Sequence, residues 1–167
     1  ALLDDRIDVI ATDHAPHTLE EKGYTRNAQG LLQASGEIAY EHAHAGLPLV
    51  QHPLLLMLHY YKQGKISLEK IVQKMSHAVA DCYQLQNRGY IREGYWADLV
   101  VADLDKPLSV SAANILYKCG WSPLEGLPLP ASVSHTFVNG NLVYENYGKE
   151  VWNESNKGKR LLFDRGL

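Results

Sequence analysis

The chain has 167 residues, 46% of them hydrophobic and 21% charged, with a formal net charge of -3 at pH 7. It is long enough for one domain with a modest core, and its mild acidity offers neither a basic patch for nucleic acid nor a polybasic segment for a membrane surface. The two cysteines, Cys82 and Cys119, lack C-x-x-C spacing and read as free thiols of a reducing cytoplasm, and no run approaches the roughly 18 apolar residues of a membrane span.

Ile7, Val9, Ile10 and Ala11 make a short apolar run of strand character, ended by Asp13-His14-Ala15-Pro16-His17. A β-run that stops at Asp and continues with His, Pro and His is how a barrel strand delivers ligands to its C-terminal rim. Taken alone, the same residues also suit a capped and solvated strand end. The chain opens at Ala1, one strand ahead of this motif and without a leader pattern, and so reads as a truncation.

Thr18 to Ala45 is a polar stretch punctuated by Gly23, Asn27, Gly30 and Gly36. It is long for a loop, which points to function, disorder or structure of its own. Glu37-Ile38-Ala39-Tyr40-Glu41 reads as a short helix. From Pro48 the residues Leu49, Leu55, Leu56, Leu58 and Tyr60 predict a helix capped near Gly64, with Pro53 as a kink or as its first turn. Ser67 predicts the N-cap of a second helix carrying Leu68, Ile71, Val72 and Met75, and a third short helix spans about His77 to Leu85.

Near residue 88 the pattern changes from helical periodicity to short strands, which sets the expected boundary between segments 1–88 and 89–167. Tyr90-Ile91 and Ala97–Ala102 read as strands joined by a turn at Glu93-Gly94. Val133–Val138 and Leu142–Tyr144 flank Asn139-Gly140, a strong hairpin signal. Ser111–Gly126 reads as a loop or short helical connection, and Lys149–Leu167 as a tail.

Five stretches together resemble the cyclic amidohydrolases, and dihydroorotase above all. They are Ala11-Thr12-Asp13-His14-Ala15-Pro16-His17, Gly46-Leu47-Pro48-Leu49-Val50-Gln51, the run Gly89 to Val101, Ser122-Pro123-Leu124-Glu125-Gly126, and Thr136-Phe137-Val138-Asn139-Gly140. They occur in the family's order and cover nearly the whole chain, but only about the last third of such an enzyme. The resemblance implies an α/β fold: residues 1–88 as the last strand and outer helices of a (β/α) barrel of the metal-dependent hydrolases, and 89–167 as the C-terminal part of the flanking β-sandwich with its tail. The family's segment before the Gly-Leu-Pro motif is shorter than the one here.

By the same resemblance, Asp13 binds one metal of a binuclear zinc site. It acts as general base and then general acid, accepting the proton of the attacking metal-bound hydroxide and passing it to the departing amide nitrogen. A carboxylate suits this work because the acidified water needs an acceptor within hydrogen-bond reach. His17 becomes the substrate-binding histidine, set to hydrogen-bond the carboxylate or ring carbonyl of dihydroorotate, and Gly46 offers backbone N–H to the substrate. His14 supports the turn. His17 taken alone also suits a surface loop.

Other candidates are set aside. His42-Ala43-His44 copies the family's opening H-x-H, but no β-run precedes it, and i and i+2 residues of a helix do not share a face. Asp98 belongs, in the family, to the sandwich and is structural. His52, His59, His77 and His135 have no partner at metal spacing. The remaining zinc ligands of the family, an H-x-H, a carboxylated lysine and two histidines, are expected ahead of Ala1. Asp13 alone falls short of the roughly three protein ligands of a catalytic zinc, so the isolated piece is expected to be inactive.

The implied reaction interconverts dihydroorotate and N-carbamoyl-aspartate in pyrimidine biosynthesis, on a small-molecule substrate, in a cytoplasmic enzyme that could be a homo-oligomer. Allantoinase or dihydropyrimidinase is the alternative within the class. Outside it stand a non-catalytic dihydroorotase-like partner and a self-standing α/β domain; the latter would leave an exposed strand edge.

Overall fold

The computed structural model describes residues 1–36 and 39–164. The chain forms two compact units that interleave in sequence. One comprises Ala1–Ala11, Leu54–Leu108 and Leu129–Leu167, and the other Thr12–Pro53 and Ser109–Pro128. The change from helices to strands near residue 88 falls inside the first.

In the first unit, α1 (Pro53–Lys62) buries Leu55 and Leu58, three residues apart on one face. Pro53 is its first residue, where a missing N–H costs nothing, so the helix starts five residues later than Pro48. Gly64, at φ +70, ends it as expected, with its N–H donating to Tyr61 O at 2.8 Å. Ser67 caps α2 (Leu68–Val72), its side chain accepting from Lys70 N at 3.2 Å. A π-turn over Gln73–His77 carries the helix directly into α3 (Ala78–Tyr83), so the second and third predicted helices form one run.

Lys74, on the π-turn, is 2% exposed. Its Nζ donates to Ile7 O at 2.6 Å and pairs with Asp5 at 2.9 Å, while its carbonyl accepts from Ile10 N at 3.0 Å. Lys70 also reaches Asp5, and these two lysines hold the Asp5 carboxyl down to about 2. The opening segment is therefore fastened to the helix by lysine rather than by a strand ladder. Residues 7–11 are not a strand here, because a strand exists only through lateral hydrogen bonds and no described segment runs beside them.

The first unit also contains an antiparallel sheet ordered β3-β6-β7-β8, from β3 (Leu99–Asp103), β6 (Ser132–Val138), β7 (Asn141–Asn146) and β8 (Glu150–Trp152). Asn139 and Gly140, at φ +50 and +84, make the turn between β6 and β7, as the Asn-Gly signal predicts. Tyr90-Ile91 joins no ladder, and part of the predicted tail becomes β8. Arg88, 8% exposed, closes this region. It pairs with Asp98 and donates to Asn139 Oδ1 at 2.7 Å, while Asn139 N donates to Asp98 Oδ1 at 2.7 Å. Asp98 is thus fully occupied in fixing the hairpin turn.

In the second unit, the predicted loop 18–45 holds a hairpin of β1 (Tyr24–Arg26) and β2 (Leu32–Ala34), followed by a 3-10 turn at Tyr40–His42. Glu37 and Ile38 of the predicted short helix lie outside the described residues. Arg26 grips Glu125 through two hydrogen bonds of 3.0 and 2.8 Å, tying the hairpin to the Ser122–Gly126 motif. Burial raises the Glu125 carboxyl, but the bonds from Arg26 and Ser122 N outweigh it and leave the group below its ordinary range. β4 (Leu108–Ser109) and β5 (Pro128–Leu129) form a separate pair. Among the described residues no helix is long and apolar enough to cross a membrane.

Candidate functional site

The second unit gathers the predicted site residues on adjoining loops. Ala15 N donates to Leu47 O at 3.1 Å, and His14 and Leu47 form a parallel β-bridge, so segments 13–17 and 46–50 run side by side. Only glycine fits at 46. Its φ is +82, and a Cβ there would lie 2.5 Å from Ala15 Cβ. His14 cements the pairing, its Nδ1 accepting from Leu49 N and Val50 N at 3.1 and 3.2 Å. This is the turn-supporting role implied by the resemblance.

Asp13 ends the opening segment with φ +45, a left-handed conformation that Asp tolerates better than most residues. Its side chain is exposed, and among the described residues no hydrogen bond or ion pair engages the carboxylate. A free carboxylate on a sharply turned backbone fits one metal ligand. Among the described residues no three His, Cys, Asp or Glu side chains converge as a metal site.

His17 is held from three sides. Trp121 Nε1 donates to its carbonyl at 2.8 Å, Glu21 Oε2 lies 3.5 Å from its Nδ1, and the His44 ring sits 4.6 Å away, centroid to centroid. Glu21 is fixed by a reciprocal pair with Thr18: Thr18 N donates to its carboxylate at 2.8 Å and Glu21 N to Thr18 Oγ1 at 3.2 Å. The Thr18 N–H is the largest cause holding the Glu21 carboxyl below its usual range. Lys22 reaches across to donate to His44 O and, at 3.1 Å, to Gly46 O. No described group accepts from the Gly46 N–H.

Sequence reasoning passed over His44, Lys22 and Trp121. His44 lies on an exposed loop, its ring against that of His17 and tilted by 36°. Nothing local marks Lys22 or Trp121, whose contacts span 22 to 104 residues.

His52 is fully buried edge-to-face with Tyr117, 6.4 Å between centroids, and among the described residues neither ring nitrogen has a partner. Burial pushes its pKa down from 6.5. Because the folded value lies below the unfolded one, stability is full above about 6.5 and declines as pH falls through the folded value. His52→Leu should raise stability by about 1–2 kcal/mol, since it removes two unsatisfied buried atoms, and should flatten that acid slope. Denaturant midpoints at pH 8 and pH 5.5 check this; a loss of stability at pH 8 would mean that His52 has a hydrogen-bond partner.

The amidohydrolase family model matches residues 1–143. A dihydroorotase of Pyrococcus horikoshii is 35% identical over 84% of the chain, and one of Clostridium acetobutylicum is 37% identical over 87%. Among solved structures, the L-hydantoinase (dihydropyrimidinase) of Arthrobacter aurescens superposes with a TM-score of 0.70 at 27% identity, over 85% of this chain and 30% of that one. A D-hydantoinase of a Thermus species matches over 95% of the chain and 32% of its own, with a TM-score of 0.76 at 24% identity, and so bears on the fold alone. The chain spans 29% and 31% of the length of the two dihydroorotases.

Proposed function

Because the chain belongs to the amidohydrolase family, we propose that it is the C-terminal portion of a zinc-dependent dihydroorotase, carrying the last strand and outer helices of its barrel and part of its β-sandwich. The observation that carries this reading is the match to dihydroorotases, joined to the placement of Asp13, His17 and Gly46 on adjoining loops. Asp13 would hold one zinc, and the metal, when bound, supplies an acidified water.

The chain's own residues then have distinct tasks. The unpartnered Asp13 carboxylate takes up a proton at its free oxygen and delivers it to the departing ring nitrogen. With Nδ1 turned to Glu21, His17 keeps Nε2 for the substrate. The Gly46 N–H points a backbone donor at a substrate oxygen, and the lack of a Cβ lets the loop approach Ala15 closely. The other ligands would come from the remainder of the gene product, so residues 1–167 alone should show no turnover. The substrate is a small molecule, and the enzyme works in the cytoplasm.

The likeness to the Arthrobacter hydantoinase favours a second reading, a dihydropyrimidinase-type enzyme acting on neutral rings. The complete gene product, loaded with zinc, should hydrolyse dihydroorotate with a kcat/KM at least about 100-fold above that for hydantoin or dihydrouracil, as a site built for a substrate carboxylate would. The reverse preference would establish the second reading.

A further inference from the structure

We propose that His44 is a positioning residue for His17, fixing the ring that recognises the acidic group of the substrate. The inference rests on the reading of His17 as a substrate-binding residue. The His44 ring lies against that of His17, 4.6 Å between centroids and tilted by 36°, while Glu21 Oε2 stands 3.5 Å from Nδ1. The Trp121 bond to His17 O fixes the backbone beneath. With His44 and Glu21 beside it and the main chain restrained, the ring keeps a single useful direction for Nε2. A histidine side chain on an exposed loop would otherwise sample several rotamers.

The structure also explains why His44 stays in place. His44 also lines a cleft of about 170 Å³ together with Lys22, Tyr24, Ala34 and Ala43, open space beside the ring. Lys22 holds both His44 O and Gly46 O, which fixes the loop that carries the ring and the loop glycine together. Removing the ring should loosen substrate recognition without touching the proton-transferring carboxylate. Ground-state binding would suffer and the chemical step would not.

The test uses the complete zinc-loaded gene product with dihydroorotate as the probe, comparing His44→Ala with His44→Phe, which keeps an aromatic face. His44→Ala should raise KM about three- to tenfold, the order of one lost ring contact, with kcat within about twofold. His44→Phe should restore KM. As a second readout, carbethoxylation of His17, followed by peptide mass spectrometry, should quicken several-fold in His44→Ala and return towards wild type in His44→Phe. Unchanged KM and labelling in His44→Ala overturn the proposal, as does a fall in kcat as large as the fall in kcat/KM. If the wild type turns over no cyclic amide, the dihydroorotase reading fails; the labelling arm still decides the positioning claim, which then stands or falls on whether His17 becomes more reactive.

Discussion

Asp13→Asn in the complete gene product should lower kcat for dihydroorotate by about 10²–10⁴-fold with KM little changed, the loss typical when a positioned general acid–base is removed. Asn is the informative replacement. It keeps the size of the side chain and is as much at ease as Asp at φ +45, so the backbone has no reason to move. What it lacks is the negative charge that would help hold zinc and the capacity to accept and return a proton, so the two preparations are compared at matched zinc content. The Asp13 carboxylate spends nothing on internal contacts among the described residues, so folding should be untouched. Initial rates and denaturant midpoints measured on the same preparations separate these effects. A fall of less than tenfold would remove Asp13 from the chemistry.

The second large effect concerns stability. Asp98→Ala should destabilise the protein by about 3 kcal/mol, the lower end of what breaking a buried ion pair costs, because Asp98 retains some exposure. The loss leaves the Arg88 guanidinium, whose side chain is 9% exposed, without its anion, and the Asn139 N–H at the hairpin turn without its acceptor. Replacing Arg88 and Asp98 together by Leu should recover much of the stability, since no unpaired charge then remains buried. Turnover per folded molecule should be unchanged in both variants. Urea denaturation with a constant m-value checks the first expectation. A loss of turnover at full folding would mean that Asp98 serves the reaction, contrary to its role in the turn.

The two aspartates show which parts of the molecule can be read from residue order. Local rules carried the helix ends at Pro53, Gly64 and Ser67 and the hairpin at Asn139-Gly140, because each rests on the conformational limits of one or two residues. The opening strand did not form as predicted. Its apolar run meets the propensity of a strand, but pairing needs a neighbour, and Lys74 supplies other bonds instead. The hairpin within 18–45 left a weak trace, Tyr24-Thr25-Arg26 followed by Asn27 and Gly30, easily lost in a polar stretch with little burial.

For the proposed site, the motif marks Asp13, His17 and Gly46; the close approach to Ala15 explains the glycine at 46, and φ +45 favours residues such as Asp or Asn at 13. The supports could not be seen in the same way. Lys22, His44, Trp121 and the Arg26–Glu125 pair act across distances in sequence that no local pattern encodes. The spacing of His42 and His44 argues against a metal pair, and nothing in it foretells the place of His44 beside His17.

The most direct single measurement is the opening of the dihydroorotate ring by the zinc-loaded complete gene product, followed by loss of ring absorbance for wild type and Asp13→Asn side by side. The account predicts ring opening by the wild type and near-complete loss in Asp13→Asn, with substrate still bound. A wild type inert at full zinc content, or an Asp13→Asn variant as active as wild type, would contradict it.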